Sequence, residues 1–250
     1  MANLATRFQR ARFGRTGFVA EAISRERTDS VLDIGSGEGW LLGEGIGPVQ
    51  RRVGVDIDQQ IVARARVRYP QCEYLDIDGA TLPFRDEEFD AVVLSDVLEH
   101  VGDENKKPVI DEALRVTRAG GRIIITVPHR GVWSWLDPLD FKRRYPWAYR
   151  VFQRVARRQP WTSPEIGHKH VTRKEVTQLL DDQAQIERLD YSGWFAPAGD
   201  VPLALGQLLH HFGLLPFRML WGLGEWQTLE ASLPAPKLLA GHLRLVARRR

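Results

Sequence analysis

The sequence predicts an α/β protein: a doubly wound, mostly parallel sheet of seven strands with helices on both faces. Three observations carry this. Short, nearly continuous apolar runs alternate with helix-periodic segments between residues 30 and 127, as in strands covered on both sides. Gly35, Gly37 and Gly39 stand between the first of these runs and the helix that follows, where a tight strand-to-helix turn needs them. Near the end, 242–247 (HLRLVA) alternates like a closing strand, and a last antiparallel strand on a parallel sheet is common in such architectures.

The elements follow in order. Residues 1–28 read as a helical lead-in, with Arg7, Arg10, Arg12 and Arg15 among phenylalanines. Residues 30–34 (SVLDI) are a first buried strand, and a helix is expected near 38–46. The second strand is 52–56 (RVGVD), followed by a helix over 58–68 with Ile61, Ala65 and Arg68 at helical spacing. Residues 73–75 give a short third strand, 89–95 (FDAVVLS) a fourth, 104–117 a helix, and 121–127 (GRIIITV) a fifth strand. The regular pattern stops at Pro128. Thr172 and Glu175 have capping-box spacing and mark a new helix. Residues 186–192 give the sixth strand. The chain thus reads as a single domain over 1–250: a lead-in, a core over 29–127, and two insertions, 128–168 and 195–238, that form a lid.

A chain of 250 residues with 43% hydrophobic and 27% charged residues can bury a real core. The formal net charge of +3 gives no global reason to expect nucleic acid. The single cysteine, Cys72, excludes an internal disulfide and a thiolate metal cluster; it suits a position in or beside a strand in a reducing, cytoplasmic compartment. No spacing suggests a metal site. The most apolar stretch, 201–223, contains Gln207, His210, His211 and Arg218, and makes a poor membrane span.

The glycine triplet alone indicates only a turn. Asp56, at the end of the next strand, adds a carboxylate able to accept two hydrogen bonds from a ribose diol. That pair fits any nucleoside cofactor, nicotinamide included. Three further features decide against nicotinamide, and Asp33 is the first. A fixed negative charge just before the glycines would repel a pyrophosphate but suits the ammonium of an amino-acid moiety. Two further blocks follow: 78–84 (DGATLPF) after the third strand, and 89–100 (FDAVVLSDVLEH) leading into a helix.

Together these blocks resemble the class I S-adenosylmethionine-dependent methyltransferases, and most closely the small-molecule branch that includes quinone-biosynthesis methyltransferases. The resemblance runs continuously over about residues 28–130. It implies a Rossmann-like fold and S-adenosyl-L-methionine as cofactor. It implies that Asp33 and the loop of Gly35, Ser36, Gly37 and Gly39 hold the methionine part, and Asp56 the ribose. It places Ile57 on the adenine ring, Asp78 on the adenine amino group with Gly79 beside it, and Ser95 along the methionine side. Asp76 competes with Asp78 for the adenine role, and Ser95 can also act through its backbone alone.

Methyl transfer is an in-line displacement, so the protein mainly aligns the nucleophile. A general base is needed only for an acceptor protonated at neutral pH. His129, just past the fifth strand, and His170, before the helix from 172, are the candidates; capping or core hydrogen bonding is the alternative for each. The acceptor expected is a small or lipid-linked molecule, methylated on oxygen or carbon. An RNA or protein acceptor, or a non-catalytic cofactor- or lipid-binding module, is the alternative, although no nucleic-acid module is visible. Arg150, Arg154, Arg157 and Arg158 share one helical face, and Ala148, Val151, Phe152 and Val155 share another. That face is either a solvated lid surface or a contact for an anionic acceptor or an anionic membrane surface at the inner face of the membrane.

Overall fold

The computed structural model describes residues 14–79, 81–129, 170–193, 233–237 and 240–250. The segments expected to form a lid fall almost entirely outside the described residues, as do the cationic helix expected over 148–158 and the first 13 residues.

Seven strands form one sheet: β1 (Ser30–Ile34), β2 (Arg51–Asp56), β3 (Glu73–Asp76), β4 (Phe89–Ser95), β5 (Thr117–Pro128), β6 (Ala184–Ser192) and β7 (His242–Arg249). Their order is β3-β2-β1-β4-β5-β7-β6. Neighbours from β3 to β5 pair in parallel, and β7 runs antiparallel to both β5 and β6. The seven strands and the antiparallel closing strand are those expected.

The helices cover both faces. On one lie α1 (Gly14–Ser24) and α2 (Gln59–Arg68), packed on Val31, Ala91, Val93, Ile124 and Val246. On the other lie α3 (Asp103–Val116) and α4 (Arg173–Leu180), packed on Leu32, Val92, Leu94, Ile123, Ile125 and Leu245. Adjacent strand residues thus divide between two cores, which is why the strands read as continuously apolar. Cys72 is partly buried against the first of these cores. Asp58 caps α2 by accepting from Gln60 N and Ile61 N. Thr172 and Glu175 form the expected capping box on α4.

Two boundaries differ most from expectation. The helix foreseen near 38–46 is a single π-helical turn over Leu41–Gly45. Gly39, Gly43, Gly45 and Gly47 crowd this segment, and glycine disfavours a longer helix. Strand β5 begins at Thr117 rather than near 121, because Thr117 pairs with Phe89 across an irregularity before Arg122 meets Ala91.

Two buried polar residues tie the layers. Asp90 of β4 accepts from the backbone N–H groups of Asp29 and Ser30 at 2.7 and 2.8 Å, fixing the start of β1. Arg122 of β5 donates to the carbonyls of Ala22 and Ile23 and to the Thr28 hydroxyl. These carbonyls close α1, so the guanidinium both satisfies orphan acceptors and complements the helix dipole.

Candidate active site

The strand order reverses between β1 and β4. The crevice outside their carboxyl ends is where open α/β sheets bind ligands. Residues 35–39 close one side of it. Gly35 and Gly39 have φ of +71° and +77°, and a Cβ at either would meet a side chain, Val97 or Tyr74. Glycine is therefore required at both. The loop is anchored to β2, with Gly35 N and Ser36 N donating to the Val55 carbonyl at 2.8 and 3.0 Å. The Tyr74 hydroxyl donates to the Gly39 carbonyl at 3.0 Å.

Asp33 lies under this loop, 2% exposed, on the α1 face of the sheet. Its Oδ1 is sealed from water and has no hydrogen-bond partner among the described residues. Burial first, and the charge of Asp56 second, push its carboxyl up to about 8; Arg15 pulls the other way. The buried Ser36 hydroxyl beside it also lacks a partner among the described residues. Buried polar atoms are ordinarily satisfied, so this pair marks a place where a ligand would complete the structure.

Asp56 is half-buried at the end of β2. It accepts from Gly37 N at 2.8 Å through Oδ2 and from Asp58 N at 3.1 Å through Oδ1. A carboxylate has about four acceptor sites, so two remain. Ile57 next to it is 67% exposed, an apolar side chain displayed at the rim. Asp78 and Gly79 are exposed after β3. Asp76 instead accepts from Arg66 Nη2 at 3.1 Å.

Ser95 ends β4 on the same face as Asp33. Its hydroxyl lies 3.0 Å from that of Thr126, which in turn donates to Asp96 Oδ1 at 3.1 Å. Asp96 has a positive φ of 55°, held by its N–H donating to the Thr126 carbonyl at 2.9 Å. Arg15 of α1 pairs with the Asp96 carboxylate and also feels Glu99 and Asp33. Sequence reasoning did not single out Arg15 in the site, nor Asp96. Only the docking of α1 on the sheet brings that arginine to the crevice.

His129 and His170 adjoin one another, 4% and 9% exposed. His170 Nδ1 donates to the His129 carbonyl at 3.0 Å, which fixes its tautomer. The His129 ring packs edge-on to Tyr191 with centroids 5.0 Å apart. Burial lowers the His129 pKa, so the ring is neutral at neutral pH. Tyr191 borders the core shared with α3 and α4, whereas Asp33, Ser95 and Thr126 face α1.

The comparisons with known proteins agree with this architecture. Residues 32–125 match the family model described as a methyltransferase domain. A probable S-adenosylmethionine-dependent methyltransferase of Mycolicibacterium smegmatis is 38% identical over 105 residues, 42% of this chain and 40% of that protein. A tRNA (carboxymethyluridine(34)-5-O)-methyltransferase of Arabidopsis thaliana is 34% identical over 126 residues, 50% of this chain and 30% of that protein. A demethylmenaquinone methyltransferase of Beutenbergia cavernae is 30% identical over 122 residues, 48% of this chain and 49% of that protein. The solved structure of an S-adenosylmethionine-dependent methyltransferase from Thermotoga maritima superposes with a TM-score of 0.60 at 15% identity, covering 99% of this chain and 95% of that one. The chain spans half or less of the length of these curated relatives. Within that span the class is plain: residues 32–125 are a methyltransferase domain of the class I S-adenosylmethionine-dependent type.

Proposed function

We propose that this protein binds S-adenosyl-L-methionine in the crevice between β1 and β4 and transfers its methyl group to a small or lipid-linked acceptor, on oxygen or carbon. The observation that carries the proposal is Asp33: a buried carboxyl group with an oxygen that has no partner among the described residues, placed where an amino-acid ammonium would complete it. Bound there, the cofactor supplies a methyl group on a sulfonium. The chain's own residues orient it. The backbone of residues 35–39 and Ser36 line the methionine part, Asp56 offers its two free acceptor sites to the ribose, and Ile57 packs on the adenine. Asp78 takes the adenine amino group with Gly79 beside it; Arg66 already occupies Asp76, which favours Asp78. Ser95 borders the transferring group.

For an acceptor that holds its proton at neutral pH, the base is His129 or His170, and the neutral state of His129 suits that role. Alanine at either should then lower turnover and spare cofactor affinity. Wild-type turnover in both variants would leave alignment as the whole mechanism.

Calorimetry tests the cofactor assignment. S-adenosylmethionine and S-adenosylhomocysteine should bind and NAD should not. Asp56→Ala should weaken binding by about 1.5–3 kcal/mol, the range for hydrogen bonds to a charged acceptor. Unchanged affinity in that variant would remove Asp56 from the site.

A second reading, methylation of RNA, is favoured by the likeness to the Arabidopsis tRNA methyltransferase. Labelled methyl transfer into metabolite, lipid and RNA extracts, compared side by side, separates the two. We place the protein in the cytoplasm, with peripheral attachment at the inner membrane face. Among the described residues no helix is long and apolar enough to cross a membrane.

A further inference from the structure

The α1 face of the sheet holds another buried charge beyond the Asp33 site and the Arg122 that closes α1. Arg244 of β7 is 8% exposed. Its guanidinium lies 5.1 Å over the Phe18 ring, and its Nε is sealed with no hydrogen-bond partner among the described residues. Arg188 of β6 stacks on the same ring at 4.9 Å but has its own counter-ions, Asp190 at 2.6 Å and Glu21 at 3.0 Å. Those carboxylates are engaged by Arg188 and attract Arg244 only at longer range. Burial accordingly lowers the Arg244 pKa, with Asp190 resisting. A ring face returns only part of what an unpaired buried guanidinium loses on leaving water.

A second observation points to the same place. Ser192 of β6 is fully buried and its hydroxyl has no partner among the described residues. Along β6, alternation puts Ser192 on the face of Arg188 and Asp190, and Asp190 is the register partner of Arg244. The position relative to the crevice follows from the ladder. Ser95, Thr126 and Arg244 are register partners across β4, β5 and β7. Two strand spacings, roughly 10 Å, therefore separate Arg244 from Ser95.

We propose that Arg244, with Ser192 beside it, is the oxyanion subsite of the methyl acceptor, so that the acceptor carries a carboxylate or a phosphate at a distance of roughly 10 Å from Ser95. The proposal rests on the methyl-transfer reading above. A guanidinium matches either anion with two parallel hydrogen bonds. Phe18 walls the subsite with an apolar surface, which suits an acceptor whose body is aromatic or aliphatic. Pairing with Arg188 offsets part of the Asp190 charge that would otherwise oppose the incoming anion.

The test uses the full chain saturated with S-adenosylhomocysteine, titrated by calorimetry with benzoate, phenyl phosphate and the neutral benzamide. One oxyanion should bind, and benzamide should bind about tenfold more weakly or not at all. Whichever oxyanion binds identifies the group as carboxylate or phosphate. Arg244→Gln should lose about tenfold in oxyanion affinity while its affinity for S-adenosylhomocysteine is unchanged, and Arg244→Lys should lose part of it because an ammonium cannot bind bidentately. Equal binding of benzamide and the oxyanions, or binding of neither oxyanion, to the wild-type protein overturns the subsite without recourse to any variant. Unaltered oxyanion affinity in Arg244→Gln overturns it as well. Failure of the wild-type protein to bind S-adenosylhomocysteine in the preceding titration overturns the cofactor reading instead.

Discussion

Asp33 costs the ligand-free protein stability, by an amount that depends on pH. Its carboxyl sits near 8 in the folded chain, raised first by burial and then by Asp56, against about 3.9 for an unfolded aspartate. Below about pH 4 both states hold the proton and there is no penalty. Between about pH 4 and 8 the unfolded chain releases the proton while the folded one keeps it. Stability contributed by this residue therefore falls as pH rises through that window, at up to about 1.4 kcal/mol per pH unit, and levels off above it. Asp33→Asn should remove the fall, leaving an apo-protein that is more stable than wild type at pH 8 in denaturant titrations. A cofactor ammonium reverses the preference by stabilising the carboxylate. Binding near neutral pH should then release about one proton, measurable as a dependence of the calorimetric enthalpy on the buffer's ionisation heat. Asn at this position should abolish both the proton release and most of the affinity. Proton release equal to wild type in Asp33→Asn would show that another group titrates. The site is legible in the sequence to this depth because Asp33, the glycines and Asp56 are local to two consecutive strand ends. Arg15, Asp96 and Arg244 are not legible, since each takes its meaning from a partner on a distant element.

At the scale of elements, α4 and the glycine loop show how local chemistry sets boundaries. Thr172 accepts from Glu175 N while the Glu175 carboxylate accepts from Thr172 N at 2.7 Å. This reciprocal pair starts α4 at a fixed residue, and α4 buries Val176 and Leu180 in the core beside α3. Thr172→Ala should destabilise the protein by about 1 kcal/mol, read from denaturant midpoints at constant m. Cofactor affinity should stay as in wild type, because α4 covers the face opposite Asp33. Gly39→Ala should do the reverse kind of damage. Its Cβ would meet the Tyr74 ring at a positive φ, so the loop must move and cofactor affinity should drop together with stability. The capping box is visible in sequence because it spans only four residues. The π-helical turn over Leu41–Gly45 is not, because helical periodicity in a short glycine-rich stretch does not distinguish one winding from another. The early start of β5 depends on Thr117 pairing with Phe89, a contact no pattern within one segment displays.

At the scale of the whole molecule, β5 and β6 run in the same direction and end at the edge of the sheet that carries the crevice. The β-α alternation makes the parallel core legible; the reversal of order between β1 and β4 comes from pairing among strands and is reached from sequence only through family resemblance. Segments 128–168 and 195–238 leave the sheet from the carboxyl ends of β5 and β6, the edge at which Asp33, Ser95 and Asp96 gather. Their composition gives the molecule's largest-scale prediction. The first carries Arg150, Arg154, Arg157 and Arg158 with Trp133, Trp135, Trp147 and Trp161; the second carries Leu203, Leu205, Leu208, Leu209, Phe212, Leu214, Leu215 and Phe217. Indole rings favour a membrane interface, and each basic residue close to an anionic leaflet contributes on the order of 1 kcal/mol, screened by salt. Four arginines at the helical spacing expected from the sequence would support reversible attachment, in keeping with a lipid-linked acceptor delivered to the crevice from the bilayer. Co-sedimentation should therefore show binding to vesicles containing phosphatidylserine and none to neutral phosphatidylcholine vesicles. Binding should weaken as salt rises and fall when the four arginines are changed to glutamine. The same variant should keep its affinity for S-adenosylhomocysteine, since none of the four residues belongs to the 32–125 domain. Absence of binding to the anionic vesicles at low salt would assign the arginines to a solvated surface and the leucines to the interior of the lid.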